Sequence, residues 1–300
     1  MSEAPSRPWV AVALCASGVA MFSLMDVLMK STSLSMGVYS AIVWRSVVGS
    51  LFSGTLYAAK GARRPPALVM RLHIYRALLI GPMIWLFFWA FTRLPLAEAI
   101  ALSFVAPIIA LGLIPLMLGE HVGRHSIIAA LVGIIGVVVI LAGRMGGNYH
   151  SGALLGAGAA ILSAVFYAVN LVLQRQQAQL ASAYEVAFYQ NLLVLTLFLP
   201  LAPWLLDLSA PVIWSEIVAA AILAVLSQMV LAAAYARASA STLIPLEYSA
   251  FLWACLFGWW FFDEALTVPV LTGAALIVMA CMIAAREQPH LAAHVEAESA

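Results

Sequence analysis

Residues 90–124 read AFTRLPLAEAIALSFVAPIIALGLIPLMLGEHVGR, and residues 234–268 read AYARASASTLIPLEYSAFLWACLFGWWFFDEALTV. A shift of 144 residues aligns the two stretches without a gap and places Arg93 on Arg237 and Glu120 on Glu264. Matches between alanines or leucines carry little weight in so apolar a chain. Matches between charged residues carry more, because charged residues are scarce here. The sequence therefore predicts two copies of one structural unit.

The composition indicates that lipid is the solvent of most of this surface. The chain has 300 residues, of which 65% are hydrophobic and 9% are charged, whereas soluble domains carry about 25% charged residues. A helix of about 20 apolar residues crosses the hydrocarbon core of a bilayer. The net charge of +1 argues against nucleic acid as a partner. Ten predicted spans cover residues 9–29, 37–58, 74–92, 96–117, 126–143, 152–173, 185–206, 213–235, 241–262 and 267–285.

The lysines and arginines of the loops predict the orientation. Ten spans return the chain to the side on which it began. The three cations of the other side are Lys30, Arg93 and Arg144. Basic residues favour the cytoplasmic side, so the sequence predicts that both termini are cytoplasmic. The ten cations of the side that holds the termini are Arg7, Lys60, Arg63, Arg64, Arg71, Arg76, Arg124, Arg175, Arg237 and Arg286.

Five spans per copy is an odd number, so the two copies are expected to lie in the membrane in opposite orientations. Inverted five-helix repeats are typical of secondary transporters, which bind their substrate near the midplane of the bilayer between the repeats. The predicted fold is thus an all-α polytopic membrane protein of ten transmembrane helices. The predicted units are a cytoplasmic lead (1–8), the first repeat (9–144), the second, inverted repeat (152–286) and a disordered cytoplasmic tail (287–300).

A resemblance to a known family rests on this arrangement and on short motifs. The pairs Gly119-Glu120 and Asp263-Glu264 each follow the fourth helix of a repeat. With the two five-helix repeats, they resemble the EamA type of the drug/metabolite transporter superfamily. The run LIPLEY at 243–248, with Leu252-Trp253 and Gly258-Trp259, is most similar to the YddG-type aromatic amino-acid exporters. The resemblance implies a multi-pass protein of the bacterial inner membrane that exports small molecules by alternating access.

Ionisable residues inside the predicted spans are candidates for function, because a charge at membrane depth is costly unless it is paired or hydrated. Asp26, Lys30 and Arg45 lie toward the outer side, where they either pair as a structural or gating cluster or leave Arg45 to bind a substrate carboxylate. Glu247 follows Pro245 and is a candidate for a substrate ammonium or a proton. The alternative is that Glu247 pairs with Arg237 or with cytoplasmic water. Glu98 is a further ionisable residue in a span.

Polar and aromatic side chains in the spans form a second set of candidates for the substrate path. Amides at membrane depth either bind a ligand or hold helices together. Aromatic rings either line a cavity or face lipid. These path candidates are Trp85, Trp89, Ser103, Phe166, Tyr167, Asn170, Tyr189, Gln190, Tyr248 and Trp253. The charges of the repeated stretch lie at helix ends, where a structural role is expected for Arg93 and Arg237. Glu120 and Glu264 have either such a role or one in coupling or gating.

The sparse charges favour one class of substrate. Phosphorylated sugars and nucleotide sugars require several buried cations, and Arg45 is the one clear intramembrane arginine of the sequence. One cation, one or two carboxylates and many aromatic rings suit an amino acid, aromatic or otherwise apolar. Cationic drugs and other small metabolites are the alternative, because an aromatic path with a carboxylate also suits a cation.

An embedded enzyme is the alternative of a different class. Its catalytic groups would have to lie at membrane depth, whereas the six histidines fall in loops, at helix edges or in the tail. His121 and His125 are four residues apart without a third ligand, so no metal site is predicted. The sequence therefore predicts a transporter without a cofactor, acting as a monomer or a weak homodimer.

Overall fold

The structure, a computed structural model, describes residues 8–119, 122–144, 151–208, 212–263 and 268–285. Within these ranges the chain is helical and holds no strand. Helices of the first half are α1 (Pro8–Met36), α2 (Val38–Ala59), α3 (Ala67–Phe91), α4 (Leu96–Ser103), α5 (Val105–Leu118) and α6 (Arg124–Arg144). Helices of the second half are α7 (Ser151–Leu180), α8 (Ala183–Phe198), α9 (Ala202–Leu205), α10 (Trp214–Tyr235), α11 (Ala240–Leu243), α12 (Ser249–Phe262) and α13 (Val268–Ala285).

Every predicted span coincides with helix, but several helices are longer than predicted. The helix α1 continues past Lys30 to Met36, and α7 continues through polar residues to Leu180. Hydropathy ends a predicted span at the first polar residues, whereas the backbone stays helical where neighbouring helices cover it. Five helical segments are long and apolar enough to cross a membrane by themselves, namely Trp9–Met36, Ala67–Phe91, Leu154–Leu180, Ala183–Leu205 and Trp214–Tyr235.

The fourth and ninth predicted spans are each broken. Phe104 separates α4 from α5, and a 3₁₀ segment, Ile244–Tyr248, separates α11 from α12. A proline without an amide N–H accounts for each break: Pro107 cannot donate to the carbonyl of Ser103, and Pro245 lies inside the 3₁₀ segment.

The two breaks meet in space. Phe104 and Tyr248 are 144 residues apart, and their ring centroids lie 4.9 Å apart at an interplanar angle of 69°. The hydroxyl of Tyr248 donates to the carbonyl oxygen of Phe104 at 3.4 Å. Equivalent residues of two repeats can touch each other only close to the axis that relates the repeats.

The same shift of 144 residues relates the ends of α5 and α12. Gly119 ends α5 with φ 65°, and Asp263 ends α12 with φ 51°. Glycine adopts this left-handed conformation freely and aspartate tolerates it. The first member of each repeated pair thus terminates a helix, while Glu120 and Glu264 lie outside the described residues. Arg93 and Arg237 also match, because each donates to the carbonyl oxygen four residues earlier, of Trp89 and Ala233 respectively.

Helix packing is unchanged when the two halves are exchanged. The helix α1 packs along α10, and its counterpart α7 packs along α3, the counterpart of α10. Two further pairs, α2 with α8 and α6 with α13, join equivalent helices. This pattern is the one expected of two halves related by an approximate two-fold axis, with the two helix breaks close to it.

Gly133 on α6 tests the packing around this axis. A Cβ at Gly133 would lie 2.9 Å from Cε2 of Tyr248, whose side chain is fully buried against Phe104. We expect Gly133→Ala to lower the free energy of unfolding by about 1–3 kcal/mol, the usual effect of overpacking. Thermal unfolding of the purified protein measures this loss. Gly112→Ala is the matched control, because a Cβ there meets nothing within 4 Å; equal stability of the two variants would contradict the packing.

Candidate functional site

A cavity of about 170 Å³ lies at the centre of the described bundle. A water needs roughly 10–15 Å³ of such space, so the cavity has room for about ten waters or a small organic molecule. Its walls come from α1, α2, α3 and α4 of the first half and from α7, α8, α10 and the second helix break of the other half. A molecule in this cavity would therefore contact both repeats at once.

Four ionisable side chains line the cavity: Asp26, Arg45, Arg76 and Glu247. Asp26, Arg45 and Arg76 lie on α1, α2 and α3, Glu247 lies in the second helix break, and the charges of the set sum to zero. The ion pair formed between described residues is that of His73 with Glu185, at 3.1 Å. None of the four cavity charges is therefore neutralised by an ion pair with another described residue, so each can interact with a charged ligand.

Asp26 and Arg45 are electrostatic partners without a direct bond. They are close enough to interact electrostatically, yet no salt bridge within 4.0 Å joins them in the part of the chain that the structure describes. The Nε atom of Arg45 is buried and has no hydrogen-bond partner among those residues. A buried donor without an acceptor costs about 1–3 kcal/mol, so an incoming acceptor would be stabilised there.

Glu247 is held by two tyrosines. The hydroxyl of Tyr167 donates to Oε2 at 2.8 Å, and that of Tyr235 donates to Oε1 at 3.2 Å. The side chain is 5% exposed, and Arg237 bonds its own helix instead. The carboxylate therefore keeps free lone pairs, since each oxygen accepts more than one hydrogen bond.

Arg76 is bonded to three amides. Its Nε donates to Asn170 Oδ1 at 2.8 Å, its Nη2 donates to Gln174 Oε1 at 2.9 Å, and its Nη1 donates to Gln177 Oε1. All three partners lie on α7, so these bonds join the first half of the chain to the second. Each partner is neutral, so the guanidinium is positioned by hydrogen bonds without a counter-charge among the described side chains.

The rest of the wall is mostly apolar and aromatic, with three further amides, Gln190, Asn191 and Gln228. Phenylalanine, methionine and isoleucine side chains from α1, α3 and α4 face the cavity, and serines from α1, α4 and α7 interrupt them. Such a surface accommodates an apolar side chain of a ligand, while the charges fix its polar end. The apolar side chains include Phe22, Ile80, Met83, Ile84, Phe87, Phe88, Ile100 and Phe104.

Half of the candidates predicted from the sequence line the cavity and half do not. Those that line it are Asp26, Arg45, Ser103, Tyr167, Asn170, Gln190 and Glu247. Those that lie elsewhere are Lys30, Trp85, Trp89, Phe166, Tyr189, Tyr248 and Trp253. The side chain of Glu98 lies outside the described part of the chain.

The residues outside the cavity have other contacts. Trp85 is 45% exposed on the outer surface of the bundle. The Cζ atom of Arg93 lies over the Trp89 ring, 3.4 Å from its centroid. Tyr189 stacks on His73 with ring centroids 4.9 Å apart. Lys30 donates to the carbonyl oxygen of Leu94 and lies over the ring of Phe262; Trp253 packs on Phe257.

Arg76 was missed as a site residue because the sequence placed it at the edge of a span. Hydropathy set the start of that span at residue 74, whereas α3 begins at Ala67. The signal for the correct start was present, since Pro65-Pro66 is a strong helix boundary. With that start, Arg76 lies in the third turn of a membrane helix and qualifies as an intramembrane cation.

A bundle of apolar helices around a charged central cavity is typical of membrane transporters. The sequence matches the model of the EamA-like transporter family over residues 9–142 and again over 154–286, and the chain belongs to that family. The two matches correspond to the two copies inferred from the 144-residue shift. The expectation of an EamA-type transporter is thereby confirmed.

Characterised and uncharacterised relatives are also transporters. The chain is 27% identical over 268 residues to the pseudopaline exporter CntI of Pseudomonas aeruginosa, covering 88% of this chain and 92% of that one. It is 27% identical over 261 residues to a riboflavin transporter of Brucella anthropi, covering 84% and 89%. One solved structure superimposes with a TM-score of 0.76 over 92% of this chain and 98% of the other, at 21% identity, and shows the same fold.

Proposed function

We propose that this protein is a secondary transporter that exports amino acids, aromatic and other apolar ones above all, across the bacterial inner membrane. In this proposal ten spans form two inverted five-helix repeats with both termini in the cytoplasm. The substrate binds in the central cavity, which opens to one side and then to the other. The chain acts as a monomer or a weak homodimer.

The observation that carries the proposal is the composition of the cavity. Two arginines and two carboxylates line it, and none of these four forms an ion pair with another described residue. An amino acid carries one charge of each sign, so its binding adds no net charge to the interior. Its apolar side chain would replace water against the phenylalanine, methionine and isoleucine side chains of the wall.

Alternating access is supported by the approximate two-fold relation of the halves. Two repeats that pack through equivalent helices can exchange conformations with nearly equal energies. The helix breaks at Phe104 and Tyr248 lie next to each other near this axis. Broken helices at the contact of two repeats provide points at which each half can bend.

A cationic substrate is the second candidate. Glu247 has two tyrosine donors and no cation among its described partners, and such a group also suits an organic cation beside aromatic rings. The difference between the candidates lies in the two arginines, which an organic cation does not require and would be repelled by.

Uptake into proteoliposomes tests the proposal. The purified protein would be given labelled phenylalanine, tryptophan and leucine, and in parallel riboflavin and tetraphenylphosphonium, each with and without a pH gradient. We expect saturable flux of phenylalanine or tryptophan. Flux of tetraphenylphosphonium or riboflavin without flux of any amino acid would refute the amino-acid assignment. A rate that rises with the pH gradient would indicate coupling to protons.

A further inference from the structure

The two arginines of the cavity are held in opposite ways. Arg45 has an electrostatic partner, Asp26, but its buried Nε lacks an acceptor among the described residues. Arg76 has three acceptors, yet all of them are neutral amides. A guanidinium with a fixed orientation and an uncompensated charge is suited to bind an anion, since little order is lost when the anion arrives.

Arg76 also retains donors for such an anion. A guanidinium has five N–H groups in a planar fork, and the amides of α7 take one from each of its three nitrogens. One N–H on each terminal nitrogen is left without an acceptor in the described ranges. Two N–H donors are the number that the two oxygens of a carboxylate accept from a guanidinium, and the side chain forms part of the cavity wall.

A chain of hydrogen bonds fixes the orientation of the Arg76 guanidinium, and its donors and acceptors can be assigned in only one way. Arginine only donates, so Gln177 must present its carbonyl oxygen to Arg76 and its amide nitrogen to His73 Nδ1, at 2.6 Å. His73 Nδ1 is then the acceptor, and its Nε2 donates to Glu185 at 3.1 Å. His73 and Glu185 are thus positioning residues that hold Gln177, and through it Arg76, in place.

Arg76 and Glu247 are attached to the same turn of α7. Asn170 accepts from Arg76, and Tyr167, three residues earlier, donates to Glu247. Residues three apart on a helix share a face, with Cβ atoms about 5–6 Å from each other. Tyr235 on α10 donates to the same carboxylate. One turn of α7 thus bonds both Arg76 and Glu247, and both side chains line the cavity.

Neither Arg76 nor Glu247 has a charged counterpart in the other repeat. The residue 144 positions after Arg76 is Ala220, and the residue 144 positions before Glu247 is Ser103. Arg93 and Arg237, by contrast, occur in both copies and make equivalent contacts. The two charges therefore make this part of the cavity wall asymmetric between the repeats.

We infer that Arg76 binds the carboxylate of the substrate while Glu247 binds its ammonium group, so that an α-amino acid is held by its backbone end between α3, α7 and the second helix break. The side chain of the substrate then extends along the apolar wall toward Phe88 and Phe104. This inference rests on the proposed transport of amino acids and specifies the site at which it occurs. In this arrangement Arg45 and Asp26 do not bind the amino or carboxylate group of the substrate.

Binding of three related compounds to the full chain in detergent tests the inference. Phenylalanine carries both groups, 3-phenylpropionate lacks the ammonium, and 2-phenylethylamine lacks the carboxylate. We expect Arg76→Gln to raise the Kd of phenylalanine and of 3-phenylpropionate by about tenfold or more, because hydrogen bonds to a charged group are lost. The Kd of 2-phenylethylamine should not rise. His73→Gln, which perturbs the support alone, should raise the first two Kd values by a smaller factor.

Arg237→Gln is the control, because Arg237 is an exposed arginine that bonds only the end of its own helix among the described contacts. Size-exclusion profiles establish that each variant is folded, and Arg76→Lys retains the charge where Arg76→Gln fails to fold. Equal losses for all three compounds, no loss for any, or a wild-type protein that binds neither carboxylate would overturn the inference. Carboxylate binding through Arg76 without flux in proteoliposomes would support the site and refute the transport function.

Discussion

Glu247→Gln is expected to reduce phenylalanine flux by roughly 10- to 150-fold, since a charge-assisted hydrogen bond contributes about 1.5–3 kcal/mol. Glutamine has nearly the same shape and can still accept from one tyrosine. What disappears is the negative charge at the point where the substrate ammonium is proposed to bind. The initial rate of uptake into proteoliposomes at low substrate concentration measures the effect.

Two tyrosine variants test the hydrogen bonds that hold Glu247. Tyr167→Phe removes a donor at 2.8 Å and Tyr235→Phe removes one at 3.2 Å, so we expect smaller losses than for Glu247→Gln. If the wild-type rate depends on a pH gradient and the Glu247→Gln rate does not, Glu247 also carries the proton. Wild-type flux and pH dependence in Glu247→Gln would exclude Glu247 from both substrate binding and coupling.

Asp26→Asn is expected to destabilise the protein by about 2 kcal/mol or more, because it leaves Arg45 buried without a counter-charge. Shape is not the cause, since the second copy holds Asn170 at the position equivalent to Asp26. The double variant Asp26→Asn/Arg45→Gln removes both charges and should recover part of the loss. Thermal unfolding of the single and double variants gives the coupling free energy.

Additive losses in this double-mutant cycle would show that Asp26 and Arg45 act independently. A positive coupling would show that the pair contributes to stability as a unit. The pair is expected to matter for folding more than for affinity, in contrast to Arg76 and Glu247. Phenylalanine binding by the double variant measures the contribution of the pair to affinity, and we expect a smaller rise in Kd than for Arg76→Gln.

The frame of the protein was predictable from the sequence because it depends on repetition and hydropathy. The register of 144 residues, read from Arg93 and Arg237, also relates the helix breaks at Phe104 and Tyr248 and the helix ends at Gly119 and Asp263. Each of these features follows from local backbone chemistry, which both copies share. The ten-span topology remains a prediction, supported by helix packing.

The site was less predictable because it depends on which face of each helix turns inward. Most of the aromatic candidates, including Trp85, Trp89 and Trp253, lie outside the cavity, while Phe87 and Phe88 line it. A low contrast between lipid-facing and cavity-facing apolar residues leaves no signal in the sequence. A larger share of the polar candidates lines the cavity, among them Asp26, Asn170 and Gln190.

The claim that the central cavity is the substrate path is tested most directly by filling it. Ser103 lies in the cavity wall near the two-fold axis, at the position equivalent to Glu247. Phenylalanine counterflow would be measured for the wild-type protein, for Ser103→Trp and for the control Trp85→Ala on the outer surface, after each has been shown to be folded. We predict saturable counterflow in the wild-type protein and in Trp85→Ala, and none in Ser103→Trp; counterflow in Ser103→Trp at the wild-type rate would contradict the account.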